Sequence, residues 1–224
     1  MHYATSDRKA HLAHGLQHDP FKAIVVPRPI GWITTVSPSG VVNLAPYSYF
    51  NAVSDAPPMV MFASTGRKDS LRNIEATGEF TCSMATRALV DAMNLSSATV
   101  ADDVSEFALT GLAAAPSLVV APPRVAASPA ALECRLWQVL PLPSPAGSTG
   151  TFVVFGEVVA VYLDDRFVVD GRLDVPAMHP IARMGYMDYD IVTPETTFAL
   201  TRPQVAADKR SASVASTPWD GTYR

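Results

Sequence analysis

The chain has 224 residues, of which 48% are hydrophobic and 17% are charged, and its formal net charge at pH 7 is −4. This composition fits one globular domain, and it excludes the global basic field that gathers nucleic acid or binds an anionic membrane. The uncharged segment 136–156 contains prolines and glycines that a membrane-spanning helix of roughly 20 residues would not tolerate.

The N-terminal segment is polar and rich in histidine. His11, His14 and His18 are three and four residues apart, so a helix would place them on one face, as metal ligands require. Metal-bound histidines have acidic partners, however, and these are scarce here. We therefore interpret residues 1–19 as an arm that precedes a domain spanning residues 20–200.

The first strands of the domain form a predicted hairpin. The apolar segments "IGWITTV" and "VVNLAPYSYF" flank the turn Ser37–Gly40, whose second residue is Pro38. Proline there and glycine at the fourth position are typical of a type I turn. A third strand, "PMVMFAST", follows.

The segment "STGRKDS", Ser64–Ser70, precedes a predicted helix that begins near Asp69 and stops at Gly78. The N–H groups of a helix N-terminus and the adjacent cations Arg67 and Lys68 together suit a phosphate. The alternative is a solvated basic turn with an ordinary N-cap.

The rest of the domain is also strand-rich. The segment "EFTCSMA" is a predicted strand, and two short helices follow in "RALVDAMNLSS" and "DDVSEFAL". Two long strands are predicted over residues 130–142 and 151–163, separated by the turn-rich loop 143–150. This order favours an antiparallel barrel with a few short helices. Residues 201–224 are a predicted polar tail.

The second strand of the hairpin continues into "NLAPYSYFNAV", Asn43–Val53, which has many polar groups for a buried strand. Pro46 cannot donate a hydrogen bond to a neighbouring strand, so we expect a bend or a free sheet edge there. Backbone groups freed beside Ala45 could bind a flat polar heterocycle. The alternative is an edge strand at a subunit contact.

Several familiar catalytic motifs are missing. The sequence contains no G-x-G, no glycine directly before lysine, no H-E-x-x-H and no G-x-S-x-G. Its two cysteines, Cys82 and Cys134, do not make a disulfide framework, and no signal peptide is evident. We expect a cytoplasmic protein with reduced thiols.

Three segments together resemble one family. The segment "RPIGWITTVSPSGVVNLAPYSYFNAVSDAPPMVMFAS" is followed by "KDSLRN" and later by "IARMGYMDY". From about Pro20 to Thr201, the chain is similar to the flavin reductase-like, FMN-binding split-barrel family. The resemblance implies a mainly β, Greek-key antiparallel split barrel that forms a homodimer and binds FMN near the subunit interface.

The resemblance also implies roles for individual residues. The ring system and ribityl chain would contact Thr34, Thr35, Asn43, Leu44 and Ala45. The phosphate would be surrounded by Ser48, Ser64, Arg67, Lys68 and Ser70. The segment "HPIARMGYMDY" resembles the family's Arg-x-x-Gly, which makes His179 and Arg183 the candidate catalytic residues beside the flavin or the nicotinamide. A purely structural role is the alternative for His179. Met187 stands near a position where relatives often have a second glycine.

The function implied by this resemblance is reduction of FMN by NADH or NADPH, with a partner monooxygenase receiving the reduced flavin. Two alternatives stay open. One is a flavoredoxin-like carrier that keeps its FMN and takes electrons from a protein. The other is a barrel that serves as a binding or interaction module without redox chemistry.

Overall fold

The structure, a computed structural model, describes residues 1–213. The strands in chain order are β1 (Arg28–Pro29), β2 (Gly31–Val36), β3 (Val42–Tyr47), β4 (Phe50–Asp55), β5 (Pro58–Thr65), β6 (Glu79–Met84), β7 (Ala114–Ala115), β8 (Arg124–Val125), β9 (Ala130–Leu142), β10 (Thr151–Leu163), β11 (Val168–Val169), β12 (Arg172–Leu173), β13 (Ile181–Arg183), β14 (Tyr189–Ile191), β15 (Gln204–Val205) and β16 (Ala212–Ser213).

The helices are short. The α-helices are α1 (Phe21–Ile24), α2 (Asp69–Thr77), α3 (Val90–Leu95) and α4 (Glu106–Thr110). Single 3₁₀ turns cover Ala10–His14, Arg87–Leu89, Asp165–Phe167, Pro176–Met178 and Pro194–Thr196. Within residues 1–213, no helix has the length and apolar character needed to cross a membrane.

Seven strands form one antiparallel sheet in the order β3-β2-β6-β9-β10-β5-β4. Its two edge strands, β3 and β4, are consecutive in the chain, so the sheet curls until its edges meet. The ladder between β4 and β5 extends to Tyr49, two residues after the end of β3, because the N–H of Ala63 donates to the carbonyl of Tyr49 over 2.9 Å. The jumps from β2 to β6 and from β10 back to β5 agree with the predicted Greek-key antiparallel barrel.

Local sequence signals place several boundaries. In the β2–β3 hairpin, the N–H of Gly40 donates to the carbonyl of Ser37 over 2.9 Å, as a four-residue turn requires. Helix α2 ends at Gly78, whose left-handed φ of 75° lets its N–H reach the carbonyl of Ile74. The two long strands β9 and β10 cover the predicted ranges.

Two apolar clusters fill the two faces of the sheet around β2. Ile33 belongs to the cluster inside the barrel, which Leu71 and Ile74 of α2 complete. Trp32 points to the other face, where α3 and α4 cover it. Its indole N–H donates to the Ser96 hydroxyl over 2.9 Å. Strand β2 is therefore buried on both faces.

The predicted strand over residues 41–50 is wrong as a single element. Strand β3 ends at Tyr47, and β4 begins at Phe50. The chain turns between them because β3 and β4 pair at opposite edges of the sheet. Pro46 lies in an edge strand, as expected of a residue without an N–H.

The two ends of the chain differ in how they pack. His11 is buried at 8% exposure, His14 contacts the ring of Tyr3, and His18 contacts the ring of Tyr186. The three histidines therefore do not share a helical face, and the described part of the chain contains no cluster able to hold a metal ion. Strands β15 and β16 form an exposed hairpin. Residues 214–224 of the predicted tail lie outside the described residues, and the domain boundaries stay a prediction.

Candidate functional site

An open cleft of about 500 Å³ lies between the edge strand β3 and the N-terminus of α2, and we call it the β3–α2 cleft. Its lining includes Asn43, Ala45, Tyr47, Ser48, Lys68, Ser70 and Glu106. Sites for small molecules commonly fall between about 300 and 1,000 Å³. The cleft is thus large enough for a nucleotide-sized ligand.

The N-terminus of α2 forms one end of this cleft. Lys68 is the N-cap residue, and its carbonyl accepts the first helical hydrogen bond, from the N–H of Arg72, over 3.0 Å. Among residues 1–213, no side chain caps the N-terminus of the helix. The N–H groups of the first turn have no acceptor inside the helix and carry part of the positive end of its dipole. This end of the cleft is suited to an anion.

The cations of the cleft are not equivalent. Arg67 pairs with Glu75, and Arg72 pairs with Asp69 and, over 2.8 Å, with Asp102. Lys68 is exposed and has no ion pair among the described residues. The Lys68 ammonium is therefore the cation most available to a ligand.

Buried polar groups form the floor of the cleft. The Asn43 amide donates to the Ser70 hydroxyl over 2.9 Å, and Thr35 accepts from the Asn73 amide over 3.0 Å. Ser70 is 1% exposed and Thr35 is fully buried. This network fixes the Asn43 side chain, because its partners are held by the sheet and by α2.

Tyr47 is 7% exposed, and its hydroxyl has no hydrogen-bond partner among residues 1–213. Burial raises the pKa of this phenol. The Ser70 and Ser64 hydroxyls lie close enough to oppose the rise, but neither has hydrogen-bonding geometry with the phenol. The hydroxyl therefore stays protonated at neutral pH and is a donor in need of an acceptor.

Glu106, the first residue of α4, reaches the cleft from the opposite wall. Its Oε2 accepts from the N–H of Leu44 over 2.8 Å, which secures the edge strand. Burial raises the pKa of the carboxyl, and the Leu44 N–H opposes that rise.

A second cleft of about 350 Å³ lies beside the first, and we call it the arginine cleft. Its lining consists of His18, Asp19, Lys22, Ala23, Arg28, Ser48, Arg183 and Tyr186. Ser48, in the bend between β3 and β4, lines both clefts.

The structure brings together only part of the predicted site. The predicted residues that line the β3–α2 cleft are Asn43, Ala45, Ser48, Arg67, Lys68 and Ser70. Thr34, Thr35, Leu44 and Ser64 are fully buried behind it. Arg183 lines the arginine cleft instead, where it donates to the Tyr189 hydroxyl over 2.7 Å. His179 is exposed and lines neither cleft. The roles assigned to all these residues stay predictions.

Sequence reasoning missed Tyr47, Glu106, and Lys22 and Arg28 of the arginine cleft. Tyr47 lies in the polar segment Asn43–Val53, so the sequence shows its phenol. It does not show that the hydroxyl has no hydrogen-bond partner among the described residues. For Glu106 and the arginine cleft no local signal exists, because distant segments of the chain form both sites.

Comparison with known proteins agrees with this architecture. Residues 23–174 match the flavin reductase like domain. An uncharacterized protein of Halalkalibacterium halodurans is 35% identical over 191 residues, covering 83% of this chain and 90% of the relative. Component B of nitrilotriacetate monooxygenase from Bacillus cereus has a TM-score of 0.80 at 27% identity, covering 89% of this chain and 98% of that one.

A further crystal structure, described as a flavin reductase with a split barrel domain from Shewanella frigidimarina NCIMB 400, has a TM-score of 0.74 at 25% identity. The match covers 92% of this chain and all of that one. The predicted split-barrel fold is thus confirmed. Since the family match also spans most of the described residues, this chain belongs to the flavin reductase-like domain family.

Proposed function

We propose that the protein is an oxidoreductase that binds FMN in the β3–α2 cleft and transfers a hydride to it from NADH or NADPH. One observation carries the proposal: the N-terminus of α2, the ammonium of Lys68 and the hydroxyl of Tyr47 all border a single cleft, and none of the three has a capping, ionic or hydrogen-bonding side-chain partner within residues 1–213. These groups are donors or cations, and a phosphorylated polyol offers the acceptors that they lack.

The residues of the cleft fit FMN. The phosphate would sit at the N-terminus of α2, next to Lys68 and Ser70. The fixed amide of Asn43 and the free edge of β3 beside Ala45 would hold the polar edge of the ring system. The bound flavin would supply the redox chemistry by accepting a hydride at N5. The chain's own part is to bind, orient and shield it.

The fully buried residues of the predicted site have a supporting role in this proposal. Thr35 accepts the Asn73 amide and lies 3.5 Å from the Asn43 amide nitrogen, so it holds the floor in place. Ser64 donates to the carbonyl of Gly66 over 2.9 Å and shapes the loop that leads into α2. Arg183 would act from the arginine cleft, on the side where the second substrate enters.

The visible absorption spectrum of the purified protein mixed with FMN, followed by anaerobic addition of NADH or NADPH, tests the proposal. We expect a bound-flavin spectrum that bleaches with the nucleotide, and continuous turnover when free FMN is in excess. Bleaching by a protein donor alone would indicate an electron carrier. A protein that ignores FMN would contradict the proposal and favour a binding module.

Replacement of Tyr47 by Phe separates ligand binding from folding. We expect FMN affinity to fall about threefold to tenfold, because a neutral hydrogen bond contributes roughly 0.5–1.5 kcal/mol. Stability without FMN should be unchanged or higher, because the substitution removes an unpartnered buried hydroxyl. Fluorescence titration and urea denaturation measure the two effects. Equal FMN affinity in both proteins would remove Tyr47 from the site.

No protein thiol takes part in the proposed chemistry. Cys82 and Cys134 are buried in the barrel, and burial raises the pKa of Cys82 to about 12, so this thiol stays protonated at neutral pH. We expect Cys82→Ala and Cys134→Ala to keep the rate of flavin reduction within about twofold. A stopped-flow measurement with FMN bound checks this. Loss of reduction in a folded, FMN-binding variant would contradict it.

The partners follow as further parts of the proposal. The Bacillus cereus neighbour is a monooxygenase component, which supports delivery of reduced flavin to a separate monooxygenase. Exposed apolar side chains on β9 and β10, among them Trp137 at 64% and Val161 at 58% exposure, support a homodimer. Light scattering coupled to size-exclusion chromatography would give a monomer mass if this is wrong.

A further inference from the structure

The arginine cleft is notable for its charge. Three cationic side chains, Lys22, Arg28 and Arg183, line it, together with His18 and a single acidic residue, Asp19. None of the three cations has an ion pair among residues 1–213. Asp19 thus contributes one negative charge against three cations, and its Oδ1 accepts from the N–H of Phe21 over 2.9 Å.

The two arginines are brought together by strand pairing. Arg28 of β1 and Arg183 of β13 are direct partners in an antiparallel register, although 154 residues separate them in sequence. Like charges directly opposite each other in a sheet are destabilising. Such an arrangement is relieved by an anion close to both side chains.

The Arg28 charge is also poorly compensated by its own surroundings. The side chain is 7% exposed, and its terminal nitrogens donate to the carbonyls of Lys22, Val25 and Met184. Its Nε has no hydrogen-bond partner among the described residues. Carbonyl dipoles satisfy part of the guanidinium but do not neutralise it, and a buried charge without a counter-ion is costly.

These contacts also hold the cleft in shape. The Arg28 guanidinium ties the N-terminal segment to the carbonyl of Met184, next to Gly185. A Cβ added at Gly185 would lie 2.7 Å from the Cβ of Ala23, so the two segments touch there. Lys22 lines the same cleft and is exposed.

The position of the arginine cleft links it to the proposed reaction. Ser48 lines both clefts, so a ligand in the arginine cleft lies next to one in the β3–α2 cleft. The flavin phosphate is already assigned to the far side, at the N-terminus of α2. A second anionic group here belongs to another molecule.

We propose that the arginine cleft binds an oxyanion of the second substrate, the molecule that exchanges electrons with the flavin. This inference rests on the proposed function for the identity of that substrate. The oxyanion comes either from a phosphate of the pyridine nucleotide or from the carboxylate of a small organic acid. The exposed ammonium of Lys22 contacts the oxyanion directly, and the positive charges of Arg28 and Arg183 attract it electrostatically.

Isothermal titration of two probes, inorganic pyrophosphate and benzoate, into the FMN-loaded protein tests the inference. The variant is Lys22→Glu, since Lys22 is exposed and its replacement does not disturb the Arg28 contacts. The matched control is Lys9→Glu, an exposed lysine of the same N-terminal segment that lines neither cleft. We expect at least one probe to bind about fivefold to tenfold more weakly to Lys22→Glu and equally to Lys9→Glu.

The outcomes separate the sources. Lys22 dependence for pyrophosphate alone identifies a nucleotide phosphate, and dependence for benzoate alone identifies a carboxylate. Absence of binding, equal affinity in wild type and Lys22→Glu, or an equal loss in Lys9→Glu overturns the inference. FMN affinity, titrated separately, should stay within twofold in Lys22→Glu. If FMN fails to bind any of the proteins, the proposed function fails, and the same anion titrations into the proteins without FMN still decide the role of the arginine cleft.

Discussion

Replacement of Lys68 by Ala is expected to weaken FMN binding about tenfold or more while leaving riboflavin binding almost unchanged. Lys68 precedes the N-terminus of α2 and is the cation of the β3–α2 cleft without an ion pair among the described residues. A charge-assisted hydrogen bond contributes on the order of 1.5–3 kcal/mol, and about 1.4 kcal/mol is a factor of ten. Exposure of the side chain favours the lower end of that range.

Titration of both flavins at two ionic strengths measures this effect. Because part of the attraction is Coulombic, FMN affinity of the wild type should fall with added salt, and the slope should shrink in Lys68→Ala. Lys9→Ala is the matched control, since it removes an exposed lysine outside the cleft. If FMN and riboflavin weaken equally in Lys68→Ala, the lysine acts through the fold and the phosphate assignment is wrong.

Replacement of Gly156 by Ala is expected to destabilise the barrel by about 1–3 kcal/mol. Gly156 lies in β10 beside an irregularity in its pairing with β9. A Cβ there would lie 2.4 Å from Cζ of Phe80 and 3.3 Å from Cβ of Cys134. The Phe80 ring is fully buried and packs edge-on against the Phe62 ring, with 5.7 Å between the ring centroids. The ring therefore has no space to change rotamer. The clash outweighs the roughly 0.4–1 kcal/mol by which loss of a glycine can stabilise a chain.

Urea denaturation of a double-mutant cycle distinguishes this clash from a general loss of stability. Phe80→Leu alone leaves a cavity and should be destabilising. In the presence of Gly156→Ala, the smaller side chain makes room for the new methyl group. The double variant should therefore lose less unfolding free energy than the sum of the losses in the two single variants. Additive losses would contradict the proposed contact.

The local elements of this protein were well predicted because their signals are short-range. Gly40 and Gly78 end the hairpin turn and α2 where the sequence indicated, since a left-handed backbone favours glycine. The long strands β9 and β10 also have the predicted bounds, because the prolines and glycines of residues 143–150 separate the two apolar segments. The split-barrel fold was predicted from the three segments that resemble the family.

Side-chain direction in the polar strand was harder to predict. The segment Asn43–Val53 was expected to continue the second strand of the hairpin, but the chain turns after Tyr47 to reach the other edge of the sheet. That turn carries Ser48 to the junction of two clefts. The turn depends on how the seven strands of the sheet pair with one another, and no short segment of the sequence determines that pairing.

The sequence by itself determined the mainly β fold, the helix start at the "STGRKDS" segment and the polar character of β3. Only the tertiary structure decided that Thr34 and Thr35 are buried and that, within the part of the chain that the structure describes, the Tyr47 hydroxyl has no partner and Lys68 has no ion pair. It also joined Arg28 to Arg183 across 154 residues of chain. The physical reason is range: turns and caps follow from the conformations of a few neighbouring residues, whereas burial, hydrogen-bond satisfaction and charge compensation depend on which distant segments come into contact.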